Sequence, residues 1–173
     1  MLVSCITHAG ARGKKHAFRG LTEKGWQEAN SAAKRFKELM EEEVPHIGVV
    51  VSSPKARCLE TAVLFAKVLS DFGLITTSEV QVDAGLKAGF ITGDELFLLA
   101  NRIETRHLLV SAHADLAKAL PAGTELLSTA VRDGWFTTRP VLFTIDYEAR
   151  EPWDTARVLY CEGFVNEEWQ RLV

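Results

Sequence analysis

Short apolar runs alternate along this chain with segments whose apolar residues recur every three or four positions, and this alternation limits the fold more than any other feature. The apolar runs predict six strands, at residues 2–6, 47–51, 80–82, 108–110, 141–147 and 157–161, with the last two forming a pair. Strands that alternate with helices are typical of an α/β domain. The sequence therefore predicts three layers, with a mostly parallel sheet flanked by helices.

The first predicted helix carries a start signal and one apolar face. Thr22 is a suitable N-cap because its hydroxyl can accept a hydrogen bond from the first turn. The apolar residues that recur behind it are Trp26, Ala29, Ala33, Phe36 and Met40. The charged residues of this segment, Glu28 among them, fall off that stripe, so we expect them to face solvent.

Later helices are predicted from proline positions and apolar spacing. Pro54 favours a helix start because proline is tolerated in the first turn. The buried side of that helix would carry Leu59, Ala62, Val63, Ala66 and Leu69. Residues 96–102 predict another helix, and a short one is expected after His113, through Leu120, where Pro121 stops it.

Composition and charge indicate one globular domain over residues 1–173. Hydrophobic residues make up 47% of the chain and charged residues 25%, which is ordinary for a folded domain. The formal net charge of -3 provides no general basic field. We therefore expect neither nucleic acid nor a membrane surface as a partner, and any cationic site must be local.

The cysteines and the first residues bear on the compartment. Cys5, Cys58 and Cys161 are an odd number, lie far apart and include no Cys-x-x-Cys pair. This pattern argues against a disulfide framework or a zinc site and fits a reducing compartment. The apolar start is too short for a signal peptide, and no stretch approaches the ~20 apolar residues that span a bilayer. We expect a cytoplasmic protein.

Three polar residues follow the predicted strands. His8 and His113 each come just after a strand, and Arg57 lies one turn into the helix after the second strand. Ligands of open α/β sheets collect outside the carboxyl ends of the strands. If the first three strands are neighbours, these side chains converge on one site, although each histidine considered alone could equally be structural.

The residue types suit phosphoryl transfer. The reaction needs a nucleophile in line with the leaving group and cations that hold the charge on the phosphoryl oxygens. A neutral imidazole such as that of His8 can attack phosphorus directly. Arg57 supplies a planar fork that matches two phosphate oxygens, and His113 adds a second donor if it is protonated.

Four short blocks occur in a fixed order. His8 follows the first strand, Leu21-Thr22 opens a helix, and the run from Leu108 ends in His113. Between them the pattern Ser-Pro-x-x-Arg-x-x-x-Thr-Ala is formed by Ser53, Pro54, Arg57, Thr61 and Ala62. In this order the blocks resemble the histidine phosphatase superfamily, with its phosphoglycerate-mutase-like fold, and within it the phosphohistidine phosphatase branch. The resemblance covers roughly residues 1–120.

The resemblance implies a role for each residue of the predicted site. His8 would be the nucleophile that becomes phosphorylated, Arg57 a phosphate ligand and His113 the second histidine of the pocket. It also implies a hydrolase that acts on a phosphohistidine protein or a small phosphomonoester, without a metal or another cofactor.

The sequence departs from the family at the first block. The family has Arg-His-Gly where this chain has Thr7-His8-Ala9, so one phosphate-binding arginine is missing. A hydrogen bond to a charged group is worth roughly 1.5–3 kcal/mol, so an uncompensated loss would leave a slow or an inactive enzyme. Arg12 and Arg19 are the candidates for the missing charge. The same loop also holds Lys14, Lys15 and His16.

Two questions stay open at the level of sequence. The first is the general acid, for which Asp83, Asp94 and Glu95 are all candidates and none is assigned. The second is activity, because loss of the arginine at position 7 also permits a pseudophosphatase that binds phosphate in a regulatory role. We favour an active phosphatase, because His8, Arg57 and His113 are all present.

Overall fold

A seven-stranded sheet forms the centre of the computed structural model. The structure describes residues 1–13, 19–40, 45–87, 91–113, 116, 140–148, 156–165 and 168–171. Their elements are β1 (Leu2–Thr7), α1 (Glu23–Leu39), β2 (Val49–Ser52), α2 (Ala56–Asp71), β3 (Val80–Val82), α3 (Gly93–Arg102), β4 (His107–Ala112), β5 (Val141–Asp146), β6 (Arg157–Val165) and β7 (Glu168–Arg171). Among these residues, no helix is long and apolar enough to cross a membrane.

The strand order combines a parallel half with an antiparallel half. The order is β3-β2-β4-β1-β5-β6-β7. The first four strands pair in parallel, and β5, β6 and β7 are added in antiparallel pairs. Because β6 is antiparallel to β5, it runs the same way as β1, so β5 and β7 are the two described strands that run the other way. The predicted α/β class with a mostly parallel sheet is confirmed.

Both faces of the sheet are covered. On one face Ile6, Leu109 and Leu142 pack with buried residues of α1 and α2, including Phe36 and Phe65. On the other face, the buried residues of the strands and of α3 are Val3, Cys5, Val110, Phe143, Leu96 and Leu99. Full burial of such a side chain contributes roughly 1.5–3 kcal/mol to stability. The two apolar layers give the three-layer arrangement expected from the sequence.

The caps and strands were predicted more accurately than the helix faces. Thr22 caps α1 as expected, and its hydroxyl accepts a hydrogen bond from the Gly25 amide. Trp26, expected in the apolar stripe, is 41% exposed, and Val63 of α2 is 48% exposed. Glu28, expected on the solvated face, is buried. These predictions were wrong because each helix packs against the sheet and against the other helix, and that second contact rotates the buried stripe.

Some predictions fall on residues that the structure leaves undescribed. The segment 117–121, with the predicted end of a short helix, lies outside the described residues. Leu116, just after β4, is described and buried.

The last strand had no recognisable signal in the sequence. β7 pairs with β6 at the edge of the sheet, and Trp169 donates its indole hydrogen to the Ser31 hydroxyl of α1. Nearby, Arg35 of α1 makes two hydrogen bonds, of 2.7 and 2.8 Å, to the buried carboxylate of Glu162 on β6. These long-range polar contacts attach the antiparallel half of the sheet to α1.

A chain of buried polar groups crosses the middle of the sheet. His107 Nδ1 lies 2.8 Å from the Pro45 carbonyl, which only accepts, so Nδ1 carries the proton. The Ser4 hydroxyl therefore donates to Nε2 at 2.7 Å, and the Thr144 hydroxyl donates to Ser4 at 2.7 Å. Burial lowers the pKa of His107 below its ordinary value of 6.5, and this outweighs the opposite effect of the bond to Pro45. The folded protein holds His107 neutral.

This state of His107 predicts a loss of stability in mild acid. Below about pH 6.5 the unfolded chain protonates His107 and the folded chain does not, so the free energy of unfolding falls as the pH falls. His107→Gln should lower stability at neutral pH by about 1–3 kcal/mol, because it breaks the chain of hydrogen bonds. It should also flatten the dependence on pH. Denaturant unfolding at about pH 7.5 and about pH 5.5 measures both effects. His46→Gln, at an exposed position, is the control, and equal slopes for His107→Gln and wild type would contradict the prediction.

Candidate active site

The carboxyl ends of β1, β4 and β2 are held side by side. In the sheet β4 lies between β1 and β2, and all three are parallel. Backbone hydrogen bonds continue past the strand ends, from His8 N to Ala112 O and from Ser53 N to Ser111 O, each 2.9 Å. His8, Ser53 and His113 therefore emerge next to one another. The convergence expected from the sequence is observed for His8, Arg57 and His113.

His8 is half-buried and its imidazole is fixed by its own loop. Nδ1 lies 2.8 Å from the Ala9 carbonyl. A carbonyl oxygen only accepts, so Nδ1 carries a proton, and Nε2 is the ring nitrogen that the neutral tautomer leaves with a lone pair. The rings of His8 and His113 meet edge to face, with centroids 5.6 Å apart. This arrangement places Nε2 of His8, the predicted nucleophile, on a ring that contacts His113.

His113 is almost fully buried, 3% exposed, and contacts β2 and α2. Its Nε2 lies 3.1 Å from Ser53 Oγ, and its Nδ1 lies 3.1 Å from Nη2 of Arg57. The sulfur of Cys58 is 3.6 Å from Nδ1 and 3.7 Å from Nε2. Two of these partners, Ser53 and Cys58, had no role in the sequence-based prediction, although both lie within the Ser-Pro-x-x-Arg-x-x-x-Thr-Ala block.

The N-terminus of α2 points to the same edge. The side chain of its N-cap residue, Lys55, makes no capping hydrogen bond, and its first turn holds no acidic residue. Uncapped amides and the helix dipole attract anions, and Arg57 adds a full positive charge in that turn. Thr61, one turn later, is hydrogen-bonded to the Arg57 carbonyl at 2.8 Å and accepts from the Ala9 amide at 3.4 Å. Thr61 thus connects α2 to the loop that carries His8.

A close backbone contact fixes the loop after His8. The Gly10 carbonyl packs on Gly25 at the start of α1, where a Cβ would lie 1.9 Å from the Gly10 oxygen. The Gly10 amide donates to the buried carboxylate of Glu28 at 2.9 Å, and the Thr22 amide donates to the Gly10 carbonyl. Glu28 was missed by sequence reasoning, yet it sits three residues after Gly25 and four before Ala32, on the buried face that they share.

Thr7 occupies the position of the missing arginine and belongs to the sheet. It is 1% exposed, and its hydroxyl accepts a hydrogen bond of 2.9 Å from the amide of Val141, at the start of β5. A guanidinium at this buried position would lose that bond. The chain therefore uses position 7 to join β1 to β5.

The candidate replacements for the arginine lie at the two ends of one loop. Arg12 and Arg19 are both exposed. An isolated bridge between Ala11 and Leu21 and a bond from the Arg12 amide to the Gly20 carbonyl bring the loop ends together. Lys14, Lys15 and His16 lie outside the described residues. A role for Arg12 or Arg19 in anion binding stays a prediction.

The three acidic candidates have different surroundings. Asp83 follows β3, its amide donates to the Ser52 carbonyl, and its carboxylate forms an ion pair with Arg102. The carboxylate of Glu95 completes the capping box of α3, and Asp94 lies in the first turn of that helix. Of the three, Asp83 is the one that follows a parallel strand, and it lies at the same edge of the sheet as Ser53. Among the described residues, no three acidic, histidine or cysteine side chains group as metal ligands would.

The sheet and its flanking helices define a phosphoglycerate-mutase-like fold, and solved structures share it. One is assigned as the phosphohistidine phosphatase SixA of Agrobacterium tumefaciens, with 22% identity, TM-score 0.66 and coverage of 92% of this chain and 96% of that one. A SixA protein histidine phosphatase complexed with tungstate has 19% identity and TM-score 0.67, with coverage of 94% of this chain and 97% of that one.

The fold extends to a phosphatase of another substrate. A phosphoserine phosphatase mutant of Entamoeba histolytica, in complex with phosphoserine, has 14% identity and TM-score 0.60, with coverage of 92% of this chain and 95% of that one. No protein-family model and no curated protein matches the sequence. The resemblance to the histidine phosphatase superfamily, predicted from the short blocks, is confirmed at the level of the fold.

The contact between Gly10 and Gly25 predicts a sensitive position. Gly25→Ala adds a methyl group against a backbone carbonyl and should lower the free energy of unfolding by about 1–3 kcal/mol. Alanine also has a higher helix propensity than glycine, which by itself would stabilise the protein by about 1 kcal/mol. A net decrease in the free energy of unfolding would therefore indicate the close contact. Gly13→Ala is the control, because its Cβ would meet open space. Denaturant unfolding and the NMR signals of the His8 ring measure stability and loop position. An unchanged or more stable Gly25→Ala protein would refute the close approach.

Proposed function

We propose that this protein is a metal-independent phosphatase that works through a phosphohistidine intermediate, with the whole chain as one catalytic domain. One observation carries the proposal. His8, whose Nδ1 is held by the Ala9 carbonyl, lies at the strand edge where His113 and Arg57 also meet, and the ring centroids of the two histidines are 5.6 Å apart. A fixed neutral imidazole beside a guanidinium is suited to attack a phosphate ester or phosphoramidate.

The reaction takes two displacements at phosphorus. In the first, His8 Nε2 forms a bond to phosphorus while the bond to the leaving oxygen or nitrogen breaks, and the leaving group takes up a proton. In the second, water attacks the phosphohistidine, the bond between Nε2 and phosphorus breaks, and phosphate leaves. The hydrogen bond from His8 Nδ1 to the Ala9 carbonyl holds the ring in one orientation through both steps.

The negative charge of the phosphoryl group is met by three elements of this chain. Arg57 provides a planar pair of donors, the uncapped N-terminus of α2 provides amides, and His113 provides a ring nitrogen. A positive charge from Arg12 or Arg19 would add to these when a ligand is bound. This set of groups stands in for the pair of arginines that the family pattern contains.

Two substrate classes fit the site. The neighbouring SixA structures belong to phosphohistidine phosphatases, and the Entamoeba enzyme was solved with phosphoserine. An imidazole leaving group needs less help from an acid than an alkoxide does. Because the general acid is unassigned, we favour a phosphohistidine protein over a small phosphomonoester. The three buried cysteines, outside any disulfide, support a reducing compartment, and we propose the cytoplasm.

The first prediction of this proposal concerns His8. His8→Ala should abolish hydrolysis of an aryl phosphate in the presence of chelator, by roughly 10³-fold or more. It should leave the melting temperature nearly unchanged, because the half-buried ring lies in a loop. His46→Ala, at an exposed position before β2, is the matched control. Mass spectrometry of acid-sensitive phosphorylation at His8 tests the intermediate. A His8→Ala protein that retains full activity would remove His8 from the mechanism.

The second prediction concerns the charge that Thr7 does not supply. Replacing Arg12 and Arg19 together by alanine should lower kcat/KM by about tenfold or more, the value of one charged hydrogen bond. Replacing Arg106, an exposed arginine just before β4, and Lys67, an exposed residue of α2, together by alanine controls for the loss of two positive charges. A double variant with wild-type kinetics would show that neither arginine compensates. A wild-type protein that binds phosphate without hydrolysing any substrate of either class would establish the pseudophosphatase alternative.

A further inference from the structure

We propose that Ser53 is a positioning residue that, together with Arg57, holds His113 as the neutral tautomer protonated at Nε2, so that binding of a phosphate-like dianion takes up one proton at Nδ1. This inference rests on the proposed function, because the anion enters the same pocket. It concerns how the pocket acquires the positive charge that Thr7 does not provide.

The contact with Arg57 fixes one nitrogen of the ring. Nη2 of Arg57 lies 3.1 Å from Nδ1 of His113. A guanidinium has hydrogen-bond donors and no acceptor, so Nδ1 must present a lone pair. Before an anion binds, the ring is therefore unprotonated at Nδ1, and the guanidinium uses one of its donors on the ring.

The contact with Ser53 fixes the other nitrogen. A neutral imidazole that is unprotonated at Nδ1 carries its hydrogen on Nε2, which therefore donates to Ser53 Oγ at 3.1 Å. Ser53 is fully buried and its backbone is bonded to Ser111, so the hydroxyl has a fixed place. Burial of both partners means that water does not readily replace this acceptor.

One full positive charge is among the described contacts of the His113 ring. These contacts include Arg57 and Cys58 of α2, Ser53 after β2 and His8 after β1. The positive charge of Arg57 lies against Nδ1 and disfavours a second cation there. Cys58 contacts the ring at 3.6 Å, and the His8 ring meets it edge to face.

A bound dianion reverses this balance. Its charge attracts the Arg57 donor away from Nδ1, and it favours a proton on Nδ1 that can donate to an anion oxygen. The proton comes from water, and Nε2 keeps its hydrogen and its bond to Ser53. That bond becomes charge-assisted in the imidazolium, so Ser53 stabilises the anion-bound state more than the free state.

The first test uses the wild-type protein and sulfate, an anion that does not itself titrate near neutral pH. Long-range proton–nitrogen NMR, with His113 signals assigned by His113→Gln, reports the protonation of each ring nitrogen. We expect Nδ1 unprotonated and Nε2 protonated in the free protein, and both protonated with sulfate. Calorimetry in buffers of different ionisation enthalpy should show uptake approaching one proton per anion at about pH 7.5. A free protein with Nδ1 protonated, or binding without proton uptake, would overturn the inference.

The second test compares two buried serines that each contact a histidine Nε2. Ser53→Ala should weaken sulfate binding by about 10- to 100-fold, the value of one charge-assisted bond. The affinity for sulfate falls as the pH rises and His113 loses its proton, and in this variant that fall should occur at lower pH. Ser4→Ala breaks the equivalent contact with His107, near the start of β1. It should lower stability and leave affinity and its pH dependence at the wild-type values. Ser53→Thr, which keeps the hydroxyl, should restore most of the affinity.

The outcomes separate this inference from the proposed function. Sulfate binding with proton uptake, weakened selectively by Ser53→Ala, supports the inference whether or not the protein is a phosphatase. Hydrolysis that depends on His8, with no proton uptake and with equal effects of Ser53→Ala and Ser4→Ala, overturns the inference and leaves the phosphatase proposal standing. A protein that neither binds sulfate nor hydrolyses a phosphate overturns both.

Discussion

Parallel pairing of β2, β4 and β1 is the constraint on which the candidate site depends. Neighbouring strands lie about 4.8 Å apart, so the residues that follow them emerge within side-chain reach of one another. Here Ser53 Oγ lies 3.1 Å from His113 Nε2, although 60 positions separate the two residues in the sequence. The apolar residues on both faces hold the strands in this register, and the buried core therefore also fixes the geometry of the polar edge.

A second set of contacts turns this edge into a defined pocket. The Gly10 carbonyl rests on the first turn of α1, and Glu28 accepts the Gly10 amide from inside the helix–sheet interface. On the other side, Thr61 of α2 contacts the Ala9 amide. His8 thus stands on a loop that is attached to both helices of one face. The proposed role of His8 as a nucleophile needs such support, because in-line attack tolerates little displacement.

Thr7 shows how one substitution changes the electrostatics of the pocket. Its hydroxyl accepts the Val141 amide and so serves the junction of the parallel and antiparallel halves of the sheet. Positive charge must then come from Arg57, from the amides of α2 and from groups that gain charge when the ligand arrives. His113, buried between Ser53, Cys58 and Arg57, is placed to be such a group. We propose that protonation of the His113 ring supplies positive charge that a second arginine would otherwise provide.

Local signals in the sequence determined the α/β class, the positions of most strands, the Thr22 cap and the candidates His8, Arg57 and His113. These follow from periodicity, capping chemistry and residue type, which act over a few neighbouring positions. The burial of Glu28, the exposure of Val63, the edge strand β7 and the partners of His113 were decided by the tertiary structure. Each depends on which distant segment packs against the residue, and a single sequence does not record that choice. The physical reason is that local preferences are set by neighbours along the chain, whereas hydrogen-bond partners and buried faces are set by packing between elements.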